Sequence, residues 1–141
     1  MPRFLEPRTP FFKAAIHSST SSRTCPVFAA MMDCGAYTDD NSPVALISKS
    51  AAMRAGLRFH PVNETVVGVG DSTIIGMIPS MTFTTGSDHA MSYTHTLHNV
   101  GVLQSNLREL DIIMNPQALK STPKLLLDLT RFQLGLPIIF Q

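Results

Sequence analysis

The residues best equipped for chemistry lie in Phe28-Ala29-Ala30-Met31-Met32-Asp33-Cys34-Gly35-Ala36, an apolar run of strand length that ends in one carboxylate and three small residues. A strand that delivers an Asp into such a turn lets the backbone crowd close around the carboxylate. Gly35 supplies the conformational freedom that the turn needs. An ordinary Asp-containing turn has the same local form, so the reading of Asp33 depends on what accompanies it. His89, His95 and His98 are the other candidates, being close enough in sequence to suggest a metal site. In a strand, however, positions 95 and 98 differ by an odd number and face opposite sides, and no Cys or carboxylate cluster completes a ligand set. Histidines on the surface of a hairpin are the expectation there, with no metal.

Three blocks downstream accompany Asp33. Leu46-Ile47-Ser48-Lys49-Ser50-Ala51-Ala52-Met53-Arg54-Ala55-Gly56-Leu57 reads as a strand and short helix ending in Gly-Leu. Leu110-Asp111-Ile112-Ile113-Met114-Asn115-Pro116-Gln117-Ala118-Leu119 sets an Asp before an apolar run, and Pro123-Lys124-Leu125-Leu126-Leu127-Asp128-Leu129-Thr130 follows it. In this order the blocks resemble the proteases of retroviruses and gypsy-type retrotransposons, and the resemblance covers most of residues 12–135. It implies a mainly β fold, a closed retropepsin-like barrel with one or two short helices, active as a two-fold homodimer. It also implies a catalytic Asp33 in a loop shaped by Cys34, Gly35 and Ala36, and a second signature carried by Ile112, Ile113 and Asn115. Two positions depart from the family pattern of Asp-Ser/Thr-Gly and a later Gly: Cys34 stands at the middle of the motif, and Asn115 replaces the second-signature glycine. A thiol donates and accepts weakly, so the tie between active-site loops that the family makes through a hydroxyl is looser here. Asn is the non-glycine residue that best tolerates a left-handed backbone, which makes Asn115 a workable substitute. Residues 37–45 are also longer than the family's usual link.

One Asp block per chain implies a dimer. Aspartic proteolysis needs two carboxylates sharing a proton, one acting as base on a water and the other as acid toward the scissile carbonyl. Asp39, Asp40, Asp71, Asp88, Asp111 and Asp128 lack the small-residue surround, so the second catalytic Asp comes from a second copy, on a two-fold axis. The chemistry requires no metal or organic cofactor. The partners implied are the chain itself and an extended peptide, by resemblance the element's own polyprotein. A retropepsin fold kept as a non-catalytic dimerisation or peptide-binding module is the alternative, motivated by Cys34 and Asn115.

The totals agree with one such domain. The chain has 141 residues, enough to bury about two thirds of its unfolded surface. With 44% hydrophobic and 15% charged residues and a formal charge of +1, it is neither disordered nor a basic nucleic-acid module. Surplus apolar surface of this kind is commonly covered in a homodimer. Cys25 and Cys34 have neither disulfide-scaffold numbers nor metal spacing, so both are expected as reduced thiols in a cytoplasmic setting. No apolar run reaches the roughly 20 residues of a membrane span, and Phe11-Phe12-Lys13-Ala14-Ala15-Ile16 is too short and interrupted for a secretory signal.

The positioning elements follow in order. Residues 1–10, with Pro2, Pro7 and Pro10, read as an extended arm preceding a domain over 11–141. A strand over 11–18 turns through Ser18-Ser19-Thr20-Ser21-Ser22 into a return strand, 27–32, apolar on both faces. Residues 44–48 read as a strand and 49–55 as about two helical turns capped by Gly56. Residues 62–76 form a hairpin around Gly70-Asp71-Ser72. By resemblance it is the flap over the substrate, with Val69, Gly70, Asp71 and Ser72 at its tip, and Gly68, Gly70 and Gly76 let it bend. Strands over 77–85 and 92–103 follow, then a buried strand over 110–114, a turn or two of helix over 117–120, and strands within 125–136. The apolar tail Pro137-Ile138-Ile139-Phe140-Gln141 suits an interleaved dimer sheet of the kind viral relatives form.

Overall fold

Ser18 turns the chain as its composition leads one to expect: its N–H donates to the Arg23 carbonyl at 3.0 Å, and its Oγ accepts from the Thr20 N–H at 3.1 Å. The strands on either side are β1 (Phe11–His17) and β2 (Thr24–Met31), paired antiparallel along their length. The computed structural model describes residues 11–31, 43–65, 73–85, 93–107 and 109–115, together with 118 and 122. After β2 come β3 (Ala45–Ser48), α1 (Lys49–Arg54), β4 (His60–Thr65), β5 (Thr73–Thr85), β6 (Tyr93–Leu103) and β7 (Ile112–Met114).

These strands form one sheet in the order β1-β2-β7-β3-β6-β5-β4, and β1 pairs back onto β5 through Ile16↔Phe83 and Ala15↔Thr84. That last pairing closes β1, β2, β7, β3, β6 and β5 into a six-stranded barrel and leaves β4 as a flange on β5. Closure removes the edges that an open sheet would expose. The architecture is therefore the mainly β closed barrel with one short helix that the sequence leads one to expect.

Burial follows the residue pattern. The barrel interior is filled from all sides by Phe12, Ile16, Val27, Ile47, Ile78, Met81, Phe83, Leu97, Val102, Ile112 and Met114. A second cluster, Ala30, Leu46, Ile74, Leu103, Leu107, Leu110 and Ile113, packs on the outer face under Val62. Ile112 and Met114 point one way and Ile113 the other, so β7 is buried on both faces; β3 is too. Continuous apolar runs are what such strands require, and each fully buried Ile or Leu contributes about 1.5–3 kcal/mol. The return strand departs from expectation. It starts at Thr24 and alternates until Phe28, which is 45% exposed. Only Ala29, Ala30 and Met31, where β7 lies alongside, are buried on both faces.

The long β5–β6 hairpin bends once. Along β5 the buried positions are Ile74, Gly76 and Ile78, then Pro79 and Ser80 are both exposed, and burial resumes at Met81, Phe83 and Thr85. In β6 the parity switches likewise, from His95 and Leu97 to Val100. The pairs Ile78↔Val100 and Ser80↔His98 bracket Pro79 and Asn99, and Asn99 has φ 62°. A proline without an N–H opposite a left-handed residue makes the corner at which both strands turn from one wall of the barrel to the next.

Helix α1 is set by its ends. Ser48 caps it, its Oγ accepting from the Ala51 N–H at 3.2 Å, and Gly56 closes it with φ 69°. Ala51 and Ala52 seal its inner face against the barrel. Among the described residues no helix is long and apolar enough to cross a membrane. The 1–10 arm, most of the 117–120 turn, the 125–136 strands and the apolar tail lie outside the described residues.

Candidate functional site: the rim where three strands end

β7 lies between β2 and β3, parallel to the first and antiparallel to the second. Met114 is thereby paired with Met31, the last residue of β2, and with Ala45, the first of β3. Three strand ends meet at one rim, with Met31 on one side of Met114 and Ala45 on the other. Asn115 holds the rim together. Its N–H donates to the Val44 carbonyl at 2.9 Å, and its carbonyl accepts from the Ala118 N–H at 2.8 Å. It is 8% exposed. Val44 in turn donates to the Asn99 carbonyl at 3.1 Å, which brings the β6 corner to the same rim.

The other end of β7 is fixed by Asp111. Its N–H donates to the Phe28 carbonyl at 2.8 Å while its Oδ2 accepts from the Phe28 N–H at 2.9 Å. Its own carbonyl accepts from the Ser48 N–H at 2.9 Å. Arg54 of α1 reaches Oδ1 at 3.1 Å. The Asp111 carboxylate and, second to it, the Cys25 side chain hold the Arg54 guanidinium above its usual range, so Arg54 stays charged. One residue thus fastens its neighbours to β7, holding β2 and the helix through its carboxylate and β2 and β3 through its backbone, which sets the height at which all three strands reach the rim.

The candidate residues distribute as follows. Ile112 and Ile113 are each 1% exposed, in the strand that carries the rim. Asn115 stands at its end, but without the left-handed backbone anticipated for a glycine substitute: the described non-glycine residue with positive φ is Asn99. Asn115 is instead retained through its backbone bonds. Asp33, Cys34, Gly35 and Ala36 lie outside the described residues, as do Val69, Gly70, Asp71 and Ser72. The strands leading to the latter four are paired up to Thr65↔Thr73, so 66–72 connects an antiparallel hairpin. Of the histidines, His95 is buried, with Nε2 2.9 Å from Thr85 Oγ1 and its ring 5.0 Å from that of Phe83, whereas His98 is exposed. The two face opposite ways, and His89 is outside the described residues. No group of three His, Cys, Asp or Glu side chains that could hold a metal occurs among the described residues. Cys25 is a free, buried thiol.

Three residues that matter here carried little signal in the sequence. Arg54 reads as one more helix cation, and Asp111 as a motif letter rather than a fastener. Asn99 was detectable only through its pairing opposite Pro79. No protein-family model matches the chain, and no curated protein is a detectable relative.

Proposed function

We propose that the chain is one subunit of a homodimeric aspartic endopeptidase of the retropepsin type, which cleaves a retroelement polyprotein in a reducing, cytoplasmic setting. The observation that supports it is the strand order β2-β7-β3. Two blocks far apart in sequence, the Asp33 motif and the 110–119 signature, belong to strands that end side by side. Asp33 follows Met31, the last residue of β2, by two positions in sequence, and Met31 is paired with Met114. A carboxylate emerging at a rim whose strands are buried on both faces has a fixed origin, which is what positioning a reactive group requires.

In this reading Asp33 of each copy meets the other on a two-fold axis. Like charges at that distance cannot both ionise, so one carboxylate keeps its proton. The ionised one takes a proton from a water, and the water attacks the scissile carbonyl while the protonated Asp33 donates to the carbonyl oxygen. Cys34, Gly35 and Ala36 shape the loop, and the β4–β5 hairpin, with Val69 to Ser72 at its tip, closes over an extended peptide bound by strand-like hydrogen bonds.

The test is cleavage of casein or a Gag-like polyprotein at mildly acidic pH, with and without a peptide mimic of the tetrahedral intermediate. We expect cleavage that the mimic blocks, and a loss of at least about 10²-fold in Asp33→Asn. Undiminished cleavage by that variant removes Asp33 from the mechanism. A parent that dimerises and binds the mimic without cleaving anything supports the non-catalytic module instead.

A further inference from the structure

β6 lines one edge of β5 throughout, but the other edge is shared between two strands. β4 covers it as far as Met77, opposite His60, and β1 takes over at Phe83, opposite Ile16. Between them, residues 78–82 have no strand partner on that side among the described residues. A cavity of about 640 Å³ lies there, lined by Ser19, Arg58, Phe59, His60, Pro79 and Ser80. A second, of about 250 Å³, adjoins it through Ser19 and Ser80 and adds His17 and Thr82.

The walls are held in place. The Arg58 N–H donates to Ser19 Oγ at 3.2 Å and the Ser19 N–H to the Gly56 carbonyl at 3.1 Å, which ties the β1–β2 turn to the segment entering β4. Phe59 is wedged against the backbone of Gly76, so near that a Cβ there would collide with the ring. The groove therefore exists before anything binds, which lowers the ordering cost of a ligand. Its charge has one sign. Arg58 is a permanent cation, His17 and His60 flank the floor, Ser19, Ser80 and Thr82 offer hydroxyls, and no Asp or Glu is among the described lining residues.

We infer that this gap is a docking groove for a short, extended, acidic peptide segment, added as a strand to the free edge of β5 between β4 and β1. The five residues 78–82 span about 17 Å at strand rise. Strand addition supplies the affinity through backbone bonds, and alternate side chains supply the choice. Carboxylates fall toward Arg58 and His60, and the intervening side chains toward Phe59. Successive residues of a strand turn their N–H and C=O to opposite edges, so every second residue of 78–82 carries the added ladder. The groove is a property of the fold and does not depend on catalysis by Asp33.

The probe is fluorescein-labelled Val-Glu-Val-Glu-Val, titrated at low salt against the full chain carrying Asp33→Asn, read by fluorescence anisotropy and by the amide resonances of Ile78, Ser80, Met81 and Thr82. We expect saturable binding that shifts those resonances, weakens about tenfold in Arg58→Glu, and survives saturation with the tetrahedral-intermediate mimic. A probe N-methylated along its backbone is expected not to bind. Absence of binding, equal binding of Val-Lys-Val-Lys-Val, or displacement by the mimic overturns the proposal. So does unchanged affinity in an Arg58→Glu protein that melts with the parent. Should that variant melt early, the N-methylated probe on the unaltered groove decides: equal binding overturns the proposal and lost binding supports it.

Discussion

The β2–β7–β3 trio and the β5–β6 hairpin are both walls of one barrel, yet they are built on opposite plans. The trio is short, buried on both faces where its strands adjoin, and clamped at each end, by Asp111 below and Asn115 above. The hairpin is long, alternates inward and outward, bends at Pro79 and Asn99, and leaves part of one edge uncovered. Pairing on both edges and burial on both faces leave a strand no direction in which to move. Alternation with a corner leaves it a surface, and surfaces are where partners bind. The rim suits a group whose position must be fixed, and the hairpin suits contact with something that arrives.

If that contrast is real, the clamp should cost more to remove than any feature of the hairpin. Asp111→Ala takes the acceptor from the Phe28 N–H and the counter-charge from Arg54, and we expect a loss of about 2–3 kcal/mol in urea unfolding. Asp111→Asn keeps an acceptor and loses only the ion pair. Because Arg54 is 48% exposed and its charge is screened, that variant should lose no more than about 1 kcal/mol. Equal losses would mean that the ion pair, not the backbone bond, is the fastener. The guanidinium is held above its ordinary range, so its contribution is fully present below that range and is lost only as pH rises past it. The loss in Asp111→Asn, which is that of the ion pair, should therefore not change with the protonation of Arg54 anywhere near neutrality.

Next in size is the contact that holds the groove open. In Gly76→Ala the new methyl collides with the Cγ, Cδ2 and Cε2 atoms of Phe59, which are not the free end of a flexible chain. We expect about 1–2 kcal/mol of destabilisation from overpacking. Made in a Phe59→Ala chain, the same change should cost little beyond the loss of Phe59 itself, because the clash then has no second party. Additive losses in the double variant would show that Gly76 is needed for some reason other than Phe59.

How much of this was legible in the sequence follows the same division. Leu46-Ile47 and Ile112-Ile113-Met114 are unbroken apolar runs, and strands with both faces buried require such runs, so β3 and β7 could be read directly. Ser48 and Gly56 bracket α1 with the residue types that helix ends demand. What could not be read was pairing at a distance. Nothing local to Thr24-Cys25-Pro26 marks them as strand; they are strand because β1 pairs with them. Nothing local to Asp111 indicates that it reaches Phe28. Asn115 was read as able to take the backbone that Asn99 has and does not take it, because tolerance for positive φ belongs to the residue type while the demand for it belongs to the place.

That last point yields the smallest and sharpest prediction. Asn99 sits at φ 62° opposite Pro79, a conformation that costs most residues about 1 kcal/mol and costs glycine nothing. Asn99→Gly should therefore leave stability within about 0.5 kcal/mol of the parent, since relief of strain offsets the greater freedom of the unfolded chain. Asn99→Ala should lose about 1 kcal/mol, read as a shift of the urea midpoint at unchanged slope. Both variants keep the carbonyl that accepts from Val44, so the rim should be untouched, and the Asn115 amide should exchange at the parent's rate once overall stability is allowed for. An alanine variant as stable as the parent would mean that the corner does not select for the left-handed state. A faster Asn115 amide in the glycine variant would mean that the hairpin's corner and the rim form one unit, and the division between clamped trio and bent hairpin would have to be redrawn at Val44.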